Sequence, residues 1–371
     1  MEKMLLTDIC DIQYGYAFDS KLFSNAEGKP LVRIRDVIRG YSETYTTEEC
    51  PDNYIIHNGD ILIGMDGEFN IALWRGGEAV LNQRVCKLIP HNEICKNYVF
   101  YYMPTALKAI EDKTPFVTVK HLSAKELNKI EIPLPTYEMQ NRIANSLLNL
   151  DELIEKRKEQ LEKLDELVKA RFVELFGDPV NNSKGLPELT LPELGEFGRG
   201  VSKHRPRNDP KLLGGKYPLI QTGEVANSEL YITSYENTYS ELGLKQSKMW
   251  QAGTLCITIA ANIAKTAILT FDACFPDSVV GFKANDRTNN IFIHYWFSFF
   301  QAILEAQAPE SAQKNINLKI LSELKIIVPP IEQQNEFVTF VEQTDKSKLE
   351  IQKSLEKLEL LKKALMQKYF G

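Results

Sequence analysis

The sequence predicts an α+β protein: two similar mixed α/β domains separated by two long helices that form an antiparallel coiled coil, with pseudo-twofold symmetry. Three observations carry this prediction. First, residues 135–177 recur without a gap at 329–371. The matches include Pro135/Pro329, Glu138/Glu332, Gln140/Gln334, Asn141/Asn335 and Asp151/Asp345, and both copies contain LEKL and end in Phe-Gly. Second, apolar residues in each copy alternate in steps of four and three, the pattern of a helix that buries one stripe. Third, similar turn-and-strand patterns precede each copy, so the duplication covers the whole chain. The expected boundaries are 1–134 for the first domain, 135–177 for its helix, 178–328 for the second domain and 329–371 for the second helix.

A chain of 371 residues with 43% hydrophobic content has enough apolar material for two packed cores. Its formal charge of −6 counts against an overall basic nucleic-acid footprint, so any phosphate contact must come from local clusters. The six cysteines show no CxxC spacing and read as reduced thiols of a cytosolic protein. The start, MEKMLLTDICDIQYG, is too short and acidic for a signal peptide. No apolar run approaches the ~18 residues of a membrane span. The expected location is cytoplasmic.

In order along the first domain, Pro30 to Arg35 alternates apolar and polar residues, a strand signal. Asn58-Gly59-Asp60 turns into a buried strand at Ile61-Leu62-Ile63, and Gly64 to Asn70 is a polar loop. Val80 to Val85 returns as a strand, and Tyr98 to Tyr102 begins an aromatic helix. Gly177 caps the first long helix, with Pro179 just beyond. In the second domain, Pro218 to Val225 occupies the place of Pro30 to Val37. Likewise Ala252 to Ile257 aligns with Asn58 to Ile63, and Asn262-Ile263-Ala264 with Asn70-Ile71-Ala72. Asn290 to Tyr295 aligns with Asn97 to Tyr102, and Ile316 to Lys319 with Val117 to Lys120. The run Ile291 to Phe300, which contains His294, reads as a buried helix.

The seam of the first long helix is Ile143, Leu147, Leu150, Ile154, Arg157, Leu161, Leu164, Val168, Arg171 and Leu175. In the second copy it is Phe337, Val341, Thr344, Lys348, Ile351, Leu355, Leu358, Lys362, Leu365 and Tyr369. Where one copy is polar the other is apolar, which suggests that the copies pair with each other, with Arg157 and Arg171 placed opposite apolar residues. Each helix is roughly 60 Å long at 1.5 Å per residue. Leu153, Leu167, Phe172, Leu349, Leu360 and Leu361 lie beside the seam and suggest a further helical partner.

No phosphate-binding Gly-Lys-Ser/Thr loop, amino-methyltransferase tetrapeptide, nuclease-like acid cluster or metal-spaced histidine set occurs, which favours a non-enzyme. What remains is polar and basic. One cluster is Arg33 and Arg35 with Arg75, Arg84 and the loop ending at Asn70. A second is Lys203, His204, Arg205 and Arg207. A third is Gln313, Lys314, Asn315 and Asn317, with Lys113, Thr118 and Lys120 as its first-domain counterpart. Gln221, Thr222, Asn262 and Lys265 lie at repeat-equivalent places in the second domain. These side-chain types read base edges and phosphates, so all are candidate DNA contacts.

The chain resembles the specificity subunits of type I restriction-modification systems. The residues that carry the resemblance are the two helix openings, Ile132 to Gln140 and Ile326 to Gln334. Gly59 to Ile63 with its following loop, and Gln313 to Leu318, add to it. The resemblance implies two target-recognition domains that each read half of a bipartite double-stranded DNA site, and helices that fix the spacing. It implies no catalysis and no directly bound cofactor or metal. The implied partners are two modification subunits, which methylate adenine with S-adenosylmethionine, and restriction subunits that use ATP and Mg²⁺; no membrane is involved. Two alternatives compete. One is a coiled-coil scaffold whose heads bind protein. The other is an enzyme with its site at Asp66, Glu68 and Asn70.

Overall fold

A computed structural model describes residues 3–113, 120–260, 262–307 and 316–371. In chain order the first half runs β1 (Lys3–Leu5), α1 (Leu6–Ile9), β2 (Cys10–Tyr14), β3 (Phe23–Ser24), β4 (Lys29–Val32), α2 (Ile34–Arg39), β5 (Tyr45–Thr46) and β6 (Ile55–Ile56). It continues β7 (Ile61–Gly64), β8 (Ile71–Leu73), β9 (Ala79–Leu81), β10 (Val85–Pro90), α3 (Lys96–Lys113), α4 (Ala124–Leu127), β11 (Glu131–Pro133) and the long α5 (Tyr137–Phe176). The second half runs β12 (Glu188–Leu189), α6 (Leu191–Leu194), β13 (Gly195–Arg199), β14 (Leu213–Leu219), α7 (Thr222–Asn227), β15 (Tyr231–Ile232), β16 (Asn237–Tyr239), α8 (Glu241–Lys245) and β17 (Met249–Trp250). It ends β18 (Leu255–Thr258), β19 (Thr266–Leu269), β20 (Ala273–Cys274), β21 (Val279–Ala284), α9 (Asn290–Gln307), α10 (Leu318–Glu323), β22 (Ile326–Ile327) and the long α11 (Ile331–Phe370).

These elements form two units, Met1–Lys158 with Lys353–Gly371, and Glu159–Gln352. Their sheets have the same topology. In the first unit one sheet has the order β2-β10-β7-β8, and in the second β13-β21-β18-β19 repeats it, with β15 added at the edge. The other sheet has β5-β4-β9-β6 in the first unit and β16-β14-β20-β17 in the second. Even the odd parallel pair recurs: Leu31 faces Val80 in one unit and Leu219 faces Cys274 in the other. β1-β11 and β12-β22 are matching two-stranded pairs that lead into the long helices.

Each unit contains one antiparallel pair of helix halves. In the first, the start of α5 and the end of α11 join one core: Ile143, Leu147 and Phe370 pack with Leu107, Tyr98 and Ile132. In the second, the end of α5 and the start of α11 do so: Phe172, Phe176 and Phe337 pack with Phe292 and Trp296. All the expected seam positions are buried or half-buried. Arg171 does lie over an apolar ring of the facing helix, 6.0 Å from the centre of Phe340, but three of the polar seam residues also meet acids. Acids on the facing helix neutralise them, Asp151 for Lys362 and Asp165 for Lys348. Arg171 pairs with Glu336 at 2.7 Å. Burying a stem and pairing its head is better satisfied by a carboxylate than by a leucine.

The repeated glutamine has a structural role in both copies. Gln140 Oε1 accepts from Cys95 N at 2.9 Å, and its Nε2 donates to Pro135 O at 2.9 Å. Gln334 Oε1 accepts from Thr288 Oγ1 at 2.9 Å, and its Nε2 donates to Pro329 O and Arg287 O. Each locks the opening turn of a long helix onto the loop that leads into the aromatic helix. Gly177 ends α5 with φ of 77°, as the cap signal predicts.

Three local readings are corrected. Pro30 to Arg35 is not one strand: β4 stops at Val32, and Ile34 and Arg35 open α2. The Asp36 carboxylate accepts from Arg33 N at 3.0 Å, and this capping overrides the alternation. Val80 to Val85 is two strands from different sheets, joined by buried Asn82 and exposed Gln83 and Arg84. The third correction concerns alignment. Ser123 and Asn317 both cap short helices, α4 and α10, so Ile316 corresponds to Leu122 and not to Val117. Similarly, Gly64 N donates to Asn70 O and Thr258 N to Lys265 O, so the equivalent of Asn70 is Lys265, not Asn262.

The cysteines are free thiols, all but Cys50 buried. Burial pushes Cys10 and Cys86 up to about 12, so they stay protonated. His294 in α9 is held neutral: burial brings it down to about 4, and its Nδ1 lies 2.9 Å from Thr266 Oγ1.

Candidate nucleic-acid interface

In each unit a polar edge is organised by the loop that leaves the central strand of the first sheet. In the first unit Met65 N donates to Arg84 O at 3.0 Å and Leu122 N to Met65 O at 2.7 Å. In the second, Ile259 N donates to Ser278 O at 3.0 Å and Ile316 N to Ile259 O at 3.0 Å. The same two bonds thus draw together the same three segments. A Cβ on Gly64 would lie 2.5 Å from Asn70 Oδ1, so glycine lets this loop close against its strand.

On this edge the first unit has a cleft of about 470 Å³. Phe18, Phe23, Arg33, Arg35, Asn82, Gln83 and Arg84 line it together with Ser20 and Ile34, and no acidic side chain does. Arg35 is steadied by Thr44 Oγ1 at 3.3 Å and by Asp36 at 3.7 Å. Arg84 sits 3.4 Å from Asp66, which also pairs with His121. Arg33 has no side-chain partner among the described residues. The cleft can therefore receive an electronegative, hydrogen-bonding edge.

The other expected residues are distributed unevenly. Arg75 is exposed beside Gly40, at the opposite end of α2 from the cleft. Asn70 is half-buried with its Oδ1 enclosed and unpartnered. Lys120 Nζ donates to Glu111 O at 2.9 Å, at the C-terminal end of α3, and Lys113 is exposed in that last turn. Asn317 Oδ1 accepts from Ile320 N, which makes it a helix cap. Thr118, Gln313, Lys314 and Asn315 lie outside the described residues.

In the second unit the 203–207 loop is tied down rather than free. Asp277 pairs with Arg207 and lies 3.6 Å from Arg205, and Arg205 also donates to Ser202 O. His204 Nε2 is 3.0 Å from Asp209, and Gln246 Oε1 accepts from the backbone of Lys203 and His204. Gln221 and Thr222 open α7, with Gln221 N donating to Glu224 Oε2 at 3.1 Å. Asn262 is exposed. Lys265 lines a separate cavity of about 360 Å³ with Lys169, His294, Asp345 and Lys348. Sequence reasoning missed Asn82, Gln83 and His121; the polar triplet between two apolar runs at 80–85 was the signal for the first two. Among the described residues no acidic, cysteine or histidine cluster could hold a metal ion, and no helix is long and apolar enough to cross a membrane.

The family profile described as "Type I restriction modification DNA specificity domain" matches residues 1–163 and again 188–362. The chain belongs to this family. It is a non-catalytic type I specificity subunit with two target-recognition domains. It is 28% identical to the type I restriction enzyme EcoBI specificity subunit of Escherichia coli, over 99% of this chain and 85% of that protein. The putative MjaX specificity subunit of Methanocaldococcus jannaschii is 24% identical over 91% of this chain and 85% of its own length. The fold of this specificity subunit is similar to a crystal structure of the type I S subunit of M. genitalium, with TM-score 0.59 and 16% identity over 100% of this chain and 96% of that one. It is equally similar to a chain from a structural study of assembly and conformational transition in a type I system, with TM-score 0.60 and 18% identity over 100% and 97%.

Proposed function

We propose that this specificity subunit reads a bipartite double-stranded DNA site, one half with each recognition domain, and that its long helices fix the gap between the halves. The domains are 1–134 and 178–328, and the helices 135–177 and 329–371. The observation that carries the reading is the shared backbone of the two polar edges, which bear different side chains: Arg33, Arg35 and Arg84 on one, Gln221, Thr222 and Ser278 on the other. One scaffold with two chemistries is what two different half-sites require.

The subunit works in the cytoplasm and binds no cofactor itself. Two modification subunits supply S-adenosylmethionine and methylate adenine, and restriction subunits supply ATP- and Mg²⁺-dependent cleavage. The exposed Leu153, Leu167, Leu349, Leu360 and Leu361 of the long helices are the docking residues for these partners. With a formal charge of −6, the subunit alone binds DNA weakly and in a salt-sensitive way. The spacer role is tested by inserting whole helical turns after Glu159. The assembled complex then methylates a site with a longer gap, or none. Methylation of the unchanged site at normal rate would sink the proposal.

A further inference from the structure

Arg33 and Gln221 occupy the same place in the two units. Each is the residue before a six-residue helix, with φ and ψ of −106° and 170° in one and −110° and 179° in the other. Each has its backbone N–H locked by a carboxylate three residues on, at 3.0 Å from Asp36 and 3.1 Å from Glu224. The main chain at this position is therefore held rigidly while the side chain is left over.

Their neighbours are occupied. Arg35 is held by Thr44 and Asp36, Arg84 by Asp66, and Arg205 and Arg207 by Asp277. Neither the Arg33 guanidinium nor the Gln221 amide has a partner among the described residues. Arg33 also opens into the cleft beside Asn82 and Gln83.

We propose that this helix-opening position selects one base in each half-site: Arg33 a guanine and Gln221 an adenine. The assignment rests on the half-site reading above. Arginine makes two hydrogen bonds to guanine O6 and N7, and glutamine makes two to adenine N6 and N7. An arginine alone would serve a phosphate equally well. A glutamine can also donate to a phosphate oxygen, but without charge, so the fixed backbone beneath both side chains favours base recognition over simple anchoring. A rigid backbone beneath a free side chain is what selective readout needs, because misplacement would blur the choice between bases.

The test uses the complete system with its modification subunits, carrying R33Q or Q221R, and maps the methylated sites. R33Q changes one position of one half-site from guanine to adenine, a shift in preference of roughly ten- to hundredfold, and leaves the other half unchanged. Q221R makes the converse change in the other half. Where one variant fails to assemble with its partners, the other decides. An unchanged site with methylation lowered evenly on all sequences makes these phosphate contacts and overturns the assignment, as does alteration of both halves by one substitution. If the unsubstituted complex methylates no bipartite site, it is the half-site reading that fails.

Discussion

The two recognition domains share a backbone down to single hydrogen bonds, yet they differ in which polar groups are left unpaired. In the first unit three arginines surround an open cleft and only two have carboxylate partners. In the second, Asp277 stands near the corresponding turn and draws two arginines onto itself. A duplicated fold can thus keep its sheet order and backbone hydrogen bonds while its surface chemistry changes with the placing of a single acid. The long helices show the opposite behaviour. Their sequences match well, yet each half faces a different core, aromatic in one unit and mostly aliphatic in the other.

Substitutions at paired repeat positions probe this contrast. The largest effect is expected at Phe176 and Phe370. Phe176 is fully buried among Phe172, Phe292 and Phe337, whereas Phe370 lies edge-on to Tyr98 and Tyr102, one residue from Gly371. F176A should cost about 3–5 kcal/mol and F370A less, because Phe176 is fully enclosed with three ring contacts whereas Phe370 keeps slight exposure and has two. Calorimetric melting measures both, and equal losses would mean that the two cores are equivalent after all.

Gln334 makes three hydrogen bonds and Gln140 two. Replacement by alanine leaves buried groups unpaired, at about 1–3 kcal/mol each time, with Q334A the more damaging. Urea unfolding checks the order.

Asp151 and Asp345 occupy the same repeat position and should respond with opposite sign. Asp151 accepts from Tyr101 at 2.7 Å and pairs with Lys362, so D151N should destabilise at pH 7. Burial holds the Asp345 carboxyl above its ordinary value of 3.8, partly offset by Lys348. A raised native value means that ionisation weakens the fold. The stability Asp345 contributes is full below the unfolded value and is lost as pH rises through the native one. D345N should therefore raise Tm at pH 7 and leave it unchanged near pH 3. A lower Tm at pH 7 would show that the carboxylate is needed in its charged form.

The smallest effect is expected at Arg171, half-exposed between Glu174 and Glu336. R171A should lower the urea midpoint least of these variants, and less still in high salt.

The long helices, their pairing and the aromatic helices were legible because periodicity over many residues leaves few alternatives. Short segments misled where a local cap outweighed alternation, as at Arg33–Asp36, and where two brief strands abutted, as at Val80–Val85. The repeat alignment slipped at Asn262 and Ile316 because loop lengths differ between the halves, and only backbone pairing fixes the register. The basic loop at 203–207 was visible as charge, but Asp277, seventy residues on, was not visible as its partner. Which arginine is left free depends on contacts that no sequence spacing records.

The central claim is that one chain carries two separate readers. Mapping methylated adenines in DNA from cells that carry the complete system tests it most directly. Two short defined sequences separated by an undefined gap of constant length are expected. A single uninterrupted motif, or methylation without sequence preference, would contradict it.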